Sequence, residues 1–142
     1  MQFVPFITAK AQQCGWQVSK VLSESLVALN FDSDHGTETV YIRPCGQNAD
    51  GNTILEFTSH GLAVPTDSET AHGFAMMLLE RNGEMLMGYW GIEVLEDERY
   101  FTVFVSQIAN TMDLDEFRAA VRAILAERQR FFKLVQKAAI EF

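Results

Sequence analysis

The spacing of apolar residues divides the chain into stretches with a helical period and stretches that alternate. Apolar residues three and four positions apart predict helices over about 3–14, 65–82 and 113–139. Alternation of apolar and polar residues predicts strands over about 26–31, 37–43, 53–58, 85–95 and 99–108. Pro44 is expected to end the second strand, because proline has no N–H to donate to a neighbouring strand.

These elements follow one another in the order α-β-β-β-α-β-β-α. Strands joined by short turns favour antiparallel pairing, and helices then pack on the sheet as a second layer. We therefore expect an α+β two-layer sandwich with an antiparallel sheet. No linker, repeat or shift in composition interrupts the chain, so residues 1–142 are expected to form a single domain.

The last two strands are joined by the acidic segment Glu96-Asp97-Glu98, and the length of this loop sets their register. A loop of even length would pair residues of the two strands on two faces, whereas an odd loop would shift every pair. The pairs expected from an even loop are Trp90 with Val103 and Ile92 with Phe101 on one face, and Tyr89 with Phe104, Glu93 with Tyr100, Met87 with Ser106 and Met85 with Ile108 on the other.

The last helix begins with a capping-box variant, in which Asp113 takes the place of Ser or Thr and Glu116 follows three residues later. One apolar stripe then runs along it, and Glu127 falls on the opposite, polar side. A helix over 113–139 would be roughly 40 Å long. This exceeds what a small sheet needs, so its end is expected to contact another chain or fold over an edge.

This order of elements resembles the fold shared by YbjN-like proteins and class I type III secretion chaperones. The tail carries most of the resemblance: an aromatic strand at 100–105, a linker at 110–113 and an acidic-capped amphipathic helix over 114–139. The resemblance covers the whole chain but rests on the pattern of elements, because neither group has a catalytic signature to match. It implies a cytoplasmic, dimeric protein that binds other polypeptides.

Composition and charge exclude or disfavour several classes of protein. The chain has 142 residues, 48% of them hydrophobic, and a formal net charge of −8. Abundant apolar residues exclude a disordered chain, and no run of about 18 apolar residues predicts a membrane span. The acidic balance disfavours a partner made of nucleic acid, which requires a basic face. The first residues lack the pattern of a secretory signal, and Cys14 and Cys45 are too far apart for a CxxC motif, so a cytoplasmic protein with reduced thiols is expected.

The polar clusters of the sequence do not predict a catalytic, cofactor or metal site. Asp32, Asp34 and His35 could ligate a metal, but consecutive Asp and Gly residues are typical of a hairpin turn. His60 and His72 have no acidic partner at a recognisable spacing, and no motif of a known nucleophile, phosphate loop or zinc site occurs. We therefore expect a protein that is not an enzyme. The alternative is a small enzyme or ligand-binding domain with a pocket between sheet and helices.

The second face of the predicted sheet is the main functional indication. Helices can cover one face, which would leave aromatic and Met side chains on the other, unless the first or last helix covers that face as well. Exposed apolar patches of this kind usually mark interfaces. We therefore expect a homodimer that binds a protein or peptide client through this face or a groove, and the face itself could be the client site or the dimer interface. The predicted partner-binding residues are Tyr41, Met85, Met87, Tyr89, Tyr100 and Phe104.

Overall fold

Three helices and six strands make up the described part of the chain, which is residues 2–34 and 36–141 of a computed structural model. The helices are α1 (Phe3–Gln13), α2 (Ser68–Asn82) and α3 (Leu114–Glu141). The strands are β1 (Lys20–Ser23), β2 (Leu26–Ser33), β3 (Gly36–Gln47), β4 (Thr53–Ala63), β5 (Tyr89–Leu95) and β6 (Glu98–Ile108).

All six strands form one antiparallel sheet in the order β1-β2-β3-β4-β6-β5. This arrangement confirms the predicted α+β class and adds the short strand β1 at one edge. Strand β6 lies between β4 and β5, so the last hairpin joins the meander through its second strand. The strand β3 also continues through Pro44, which the sequence placed at its end, and a bulge between Pro44 and Gly46 accommodates the residue that cannot donate.

Side chains at the N-termini explain where two helices begin. Asp67 accepts a hydrogen bond from the Thr70 N–H at 2.9 Å and caps α2. At α3, the Glu116 N–H donates to Asp113 Oδ1 at 2.7 Å, and the Asp113 N–H donates to Glu116 Oε1 at 3.3 Å. These two reciprocal bonds confirm the capping box.

The core lies between the sheet and the three helices. Helix α3 supplies the largest share of the helical side, with Phe117, Ile124 and Phe131 fully buried. The apolar stripe of α3 is confirmed. Its helical spacing places Phe132 in the stripe and Phe131 beside it, but Phe131 is the fully buried ring and Phe132 is only partly buried. Glu127 was expected on the solvent side of α3 and is instead buried, because Arg81 and the indole N–H of Trp90 both bind its carboxylate.

The hairpin of β5 and β6 has the predicted register. Tyr89 pairs with Phe104, Trp90 with Val103, Ile92 with Phe101, and Glu93 with Tyr100. The loop has an even length because Leu95 pairs with Glu98, which leaves Glu96 and Asp97 as the two turn residues, with φ of 48° and 69°. Positive φ at both positions is typical of a type I′ turn, whose twist matches that of the strands.

The hairpin is shorter than the sequence indicated. Met85, Leu86 and Met87 precede β5, so the expected pairs of Met85 and Met87 with β6 do not form. Leu86, which alternation with Trp90 places on the covered face, is fully exposed. Gly88 explains this end of the strand, since its φ of 85° turns the backbone away from β6. A Cβ at this position would collide with the carbonyl oxygen of Phe104.

Candidate binding cleft

All three helices pack against the same face of the sheet. Phe117 of α3 contacts Phe57, with ring centroids 5.8 Å apart, and Phe74 of α2 contacts Phe101 at 6.2 Å. The buried residues of α1 belong to the same core cluster. Within the described chain, neither α1 nor α3 therefore packs on the second face, although Ala28, Thr58 and Phe104 on that face are themselves buried.

The register of the strands aligns aromatic side chains in one row on this open face. Tyr41 of β3 pairs with Thr58 of β4, which pairs with Phe104 of β6, which pairs with Tyr89 of β5. The rings of Tyr89 and Phe104 stack at 5.2 Å with an angle of 14° between their planes. The row thus aligns Tyr41 with the Tyr89–Phe104 stack across the middle of the sheet, with Thr58 between them; Tyr89 is 45% exposed, whereas Phe104 is largely buried.

The open face is concave and forms a cleft of about 840 Å³. Leu22 of β1 and Leu95 of β5 come from opposite edges of the sheet and line the same cleft, so the twisted sheet curls around it. The residues that line the cleft are Leu22, Leu26, Tyr41, Arg43, Thr58, His60, Glu93, Leu95, Glu96, Glu98 and Tyr100.

A histidine–carboxylate pair lies at the centre of the cleft. His60 Nε2 donates to Glu93 Oε1 at 2.7 Å. The rings of Tyr41 and Tyr100 flank the imidazole at centroid distances of 5.2 and 5.7 Å. The sequence indicated no acidic partner for His60, and this was wrong. The two residues meet because β6 separates β4 from β5 by one strand, which no spacing along the chain reveals.

The charges of the cleft are predominantly negative. Arg43 binds Glu56 with Nε at 3.1 Å and Nη2 at 2.9 Å, and this contact raises the pKa of Arg43. The Tyr100 hydroxyl donates to Glu98 at 2.5 Å, which raises the pKa of Tyr100. Since Glu56 neutralises Arg43, the carboxylates that line the cleft outweigh its positive charge.

A basic residue of α3 supports the cleft from behind. The regular pairing of β3 with β4 reaches Tyr41 and Thr58, and beyond this pair Arg128 Nε donates to the carbonyl oxygen of His60 at 3.0 Å. Arg128 Nη1 lies 3.2 Å from a carboxylate oxygen of the buried Glu38. The guanidinium therefore fixes the backbone of His60 from the helical layer.

The structure brings four of the six predicted contact residues to the open face: Tyr41, Tyr89, Tyr100 and Phe104. Met85 lies elsewhere and packs against the core, while Met87 precedes Gly88 in the connection before β5. The sequence missed His60 and Glu93 as members of the site. The predicted pair of Glu93 with Tyr100 was the one signal that placed an acid beside the aromatic row.

The other histidines and the two cysteines considered from the sequence do not line the cleft or lie outside the described residues. His72 is exposed on α2, and both cysteines are free thiols. The pKa of the Cys45 thiol is raised, chiefly because partial burial disfavours the thiolate and the charge of Glu56 adds to this. His35 lies outside the described residues, and within residues 2–34 and 36–141 no three His, Cys, Asp or Glu side chains form a group that could hold a metal ion.

Comparisons with known proteins identify the fold. No protein-family model and no curated protein sequence matches the chain. None of the helices described here is long and apolar enough to cross a membrane. The crystal structure of YbjN from E. coli, described there as a candidate transcription regulator, superimposes with a TM-score of 0.59 over 97% of this chain and 93% of that one, at 14% sequence identity. In its overall fold, this chain is YbjN-like.

Proposed function

We propose that this protein is a non-enzymatic polypeptide-binding module that holds a segment of a partner protein in the cleft of its open face. One observation supports this most strongly: all three helices cover one face of the sheet, and the other face is a concave, aromatic surface. A chain normally buries or shields such a surface unless it serves recognition. Aromatic side chains also supply most of the affinity at protein interfaces, because they bury much area with few rotatable bonds.

The partner segment carries basic residues in this proposal. Glu93, Glu96 and Glu98 all line the cleft, and the whole chain has a formal net charge of −8. Such a field favours encounter with a basic segment and disfavours an acidic one. An extended segment would place apolar side chains on the aromatic row and Lys or Arg side chains towards the acidic hairpin.

A binding role, rather than catalysis, fits the shape of the site. Enzymes generally exclude water from the reacting groups, whereas this cleft is broad and open to solvent. A small-molecule site is the second candidate, because the cleft volume falls within the usual range for ligands and the His60–Glu93 pair converges on its centre. The alternative pocket between sheet and helices corresponds to an apolar cavity of about 250 Å³ beside Leu78 and Trp90, which offers few polar groups for specificity.

The cellular role follows as part of the same proposal. A regulator of the YbjN kind would act through contacts with another protein, and a chaperone like those of type III secretion would hold a client in an extended form. Both roles suit a cytoplasmic protein. A homodimer that buries two open faces against each other is the competing use of the same surface.

The experiment measures binding of labelled peptides by fluorescence anisotropy. The probe is a peptide of about ten residues in which Phe alternates with Lys, and its matched control carries Glu in place of Lys. The variant Tyr41→Ser with Tyr89→Ser removes two rings from the open face, while Leu134→Ser removes an exposed apolar side chain from α3 as a control. We expect wild type and the α3 control to bind the basic probe alike, and the double variant to bind it at least about tenfold more weakly.

Two results would count against the proposal. The first is equal affinity of wild type and a correctly folded double variant for the basic probe. The second is a wild-type dimer that becomes monomeric in the double variant and binds neither peptide, because the occupant of the cleft is then a second copy of the chain. The molar mass in solution, measured by light scattering on the same samples, identifies this second case.

A further inference from the structure

The strand β5 forms one edge of the sheet, and its outward backbone groups define a second surface. Leu95 and Glu98 flank a two-residue turn, so Leu95, Glu93 and Gly91 exchange hydrogen bonds with β6. The alternate residues, Trp90, Ile92 and Val94, therefore direct their N–H and C=O groups away from β6. No strand lies beyond them in the described part of the chain.

A side chain of α2 already occupies this edge at one of the three positions. The amide of Asn82 accepts from the Trp90 N–H at 2.6 Å and donates to the Trp90 carbonyl oxygen at 3.0 Å. Asn82 thus takes the place of a neighbouring strand at Trp90 alone. The Asn82 amide does not reach the next two outward positions of the edge, which are Ile92 and Val94.

Apolar side chains accompany these backbone groups. Ile92 and Val94 are 51% and 61% exposed, and Leu79 of α2 beside them is 62% exposed. Ile92 and Leu79 also line the apolar cavity of about 250 Å³ between α2 and β5. Exposed edges are usually shielded by charge, by proline or by a covering segment, because they recruit other strands. This edge has outward backbone groups and an apolar flank together.

A second copy of this chain fits the edge poorly. Antiparallel self-pairing centred on Glu93 would match Ile92 with the partner's Val94, but it would set two Glu93 side chains opposite each other at the close spacing of a non-hydrogen-bonded pair. Pairing centred on Ile92 would need the outward groups of Trp90, which Asn82 occupies. Pairing centred on Val94 would run into Glu96, whose positive φ leaves the extended conformation.

We propose that β5 accepts an added strand from another polypeptide, in which basic and apolar residues alternate. The backbone of that strand would bond to Ile92 and Val94. Its apolar side chains would lie on the helical side, against Ile92, Val94 and Leu79. Its basic side chains would lie on the opposite side, near Glu93 and the acidic turn at Glu96. The outward backbone groups of Ile92 and Val94 lie at the edge of the sheet and not on its open face, so strand addition can be tested apart from the cleft, although Glu93 and Glu96 belong to both surfaces.

The test measures amide hydrogen exchange by NMR with and without a probe peptide. The probe has about seven residues in which Lys alternates with Val, and the matched peptide has Glu in place of Lys. We expect the Lys probe to slow exchange at the amides of Ile92 and Val94 by about tenfold or more, with little change at Glu93 and Leu95, which β6 already protects. The Glu peptide is expected to leave all four amides unchanged.

A matched pair of variants separates backbone pairing from side-chain contact. Val94→Pro removes an outward N–H at an edge position, where proline is tolerated, and Val94→Thr keeps both the N–H and the branched shape. We expect the proline variant to bind the Lys probe about threefold to tenfold more weakly than the threonine variant. Both variants leave Tyr41, His60 and Tyr100 of the cleft unchanged, so chemical-shift changes at these residues with the Phe–Lys probe report on the proposed function separately from exchange at Ile92 and Val94.

Three outcomes would overturn the inference. One is unchanged exchange at Ile92 and Val94 under saturating Lys probe. Another is equal protection by the Lys and Glu peptides, which would refute the basic partner. The third is protection that appears without any peptide and rises with protein concentration, because the edge is then paired with a second copy. If Val94→Pro fails to fold, the exchange data on the wild type decide the question alone.

Discussion

Replacement of Glu127 by Gln is expected to destabilise the protein by about 2 kcal/mol, because Glu127 joins three elements through charge-assisted hydrogen bonds. Arg81 of α2 donates to both carboxylate oxygens at 3.0 Å, and the Trp90 indole of β5 donates to one of them at 2.9 Å. The carboxylate is buried on α3. It therefore connects the two helices and the edge strand at one point.

The size of the expected loss in unfolding free energy depends on which contacts of Glu127 a glutamine would keep and which it would lose. A glutamine retains the shape and one acceptor oxygen, but its NH₂ group faces donors of Arg81 and the ion pair is lost. Breaking a fully buried pair costs about 3–5 kcal/mol, and a hydrogen bond to a charged group contributes about 1.5–3 kcal/mol. Arg81 retains about a quarter of its side-chain exposure and can rehydrate, which favours the lower figure.

The stability difference between wild type and Glu127→Gln should also depend on pH. Burial alone would raise the pKa of Glu127, but the hydrogen bonds from Arg81 and Trp90 outweigh it and the pKa is lowered. A lowered pKa means that the stabilisation is complete above the pKa of the unfolded chain and is lost as pH falls through the pKa of the folded one. The difference between wild type and Glu127→Gln should therefore be largest near neutral pH and shrink below about pH 4.

Urea unfolding followed by tryptophan fluorescence measures this difference, and Glu84→Gln is the matched control. Glu84 also contacts Arg81, at 3.4 Å, but its side chain is largely exposed, so its loss should change the free energy of unfolding by no more than about 0.5 kcal/mol. If Glu127→Gln costs as little as the control, or costs the same at every pH, the carboxylate does not connect the elements as described.

Three further substitutions test the local physics by the same unfolding assay. Gly88→Ala should cost about 2 kcal/mol or more, since φ is 85° and the new methyl group meets the Phe104 carbonyl oxygen; a neutral result would show that the backbone there is not constrained. Asp113→Ala should cost about 1 kcal/mol through loss of the helix cap, and no loss would mean that the capping box contributes nothing. Arg128→Met should cost about 3 kcal/mol because it leaves the buried Glu38 carboxylate without its cation; a fully stable variant would contradict that pairing.

Local patterns predicted those parts of the fold that neighbouring residues determine. The register expected for an even loop matches the last hairpin, because a side-chain period of two leaves few registers compatible with a buried face; the sequence alone also allowed an odd loop, and the structure shows that Glu96 and Asp97 are the turn residues. The three-residue spacing of Asp113 and Glu116 was likewise enough for the capping box. The expectation of an uncovered aromatic face also depended only on counting apolar residues on each side of the strands.

Contacts between distant segments were not predictable in this way. His60 and Glu93 meet only because β6 lies between β4 and β5, and a meander of consecutive strands would have placed them differently. The burial of Glu127 depends on a guanidinium from α2, so the helical period alone assigned it to solvent. Met85 and Met87 were assigned to a strand because alternation continues through them, whereas the positive φ of Gly88 ends the pairing.

The measurement that tests the central proposal most directly is an NMR titration of the protein with the Phe–Lys peptide. If the cleft holds a basic segment, chemical-shift changes should concentrate at open-face residues such as Tyr41, His60 and Tyr100, and saturate with one peptide per chain. The Phe–Glu peptide should leave those signals in place. Changes confined to the helical layer around α3, or equal changes with both peptides, would contradict the assignment of the cleft as a site for basic polypeptide segments.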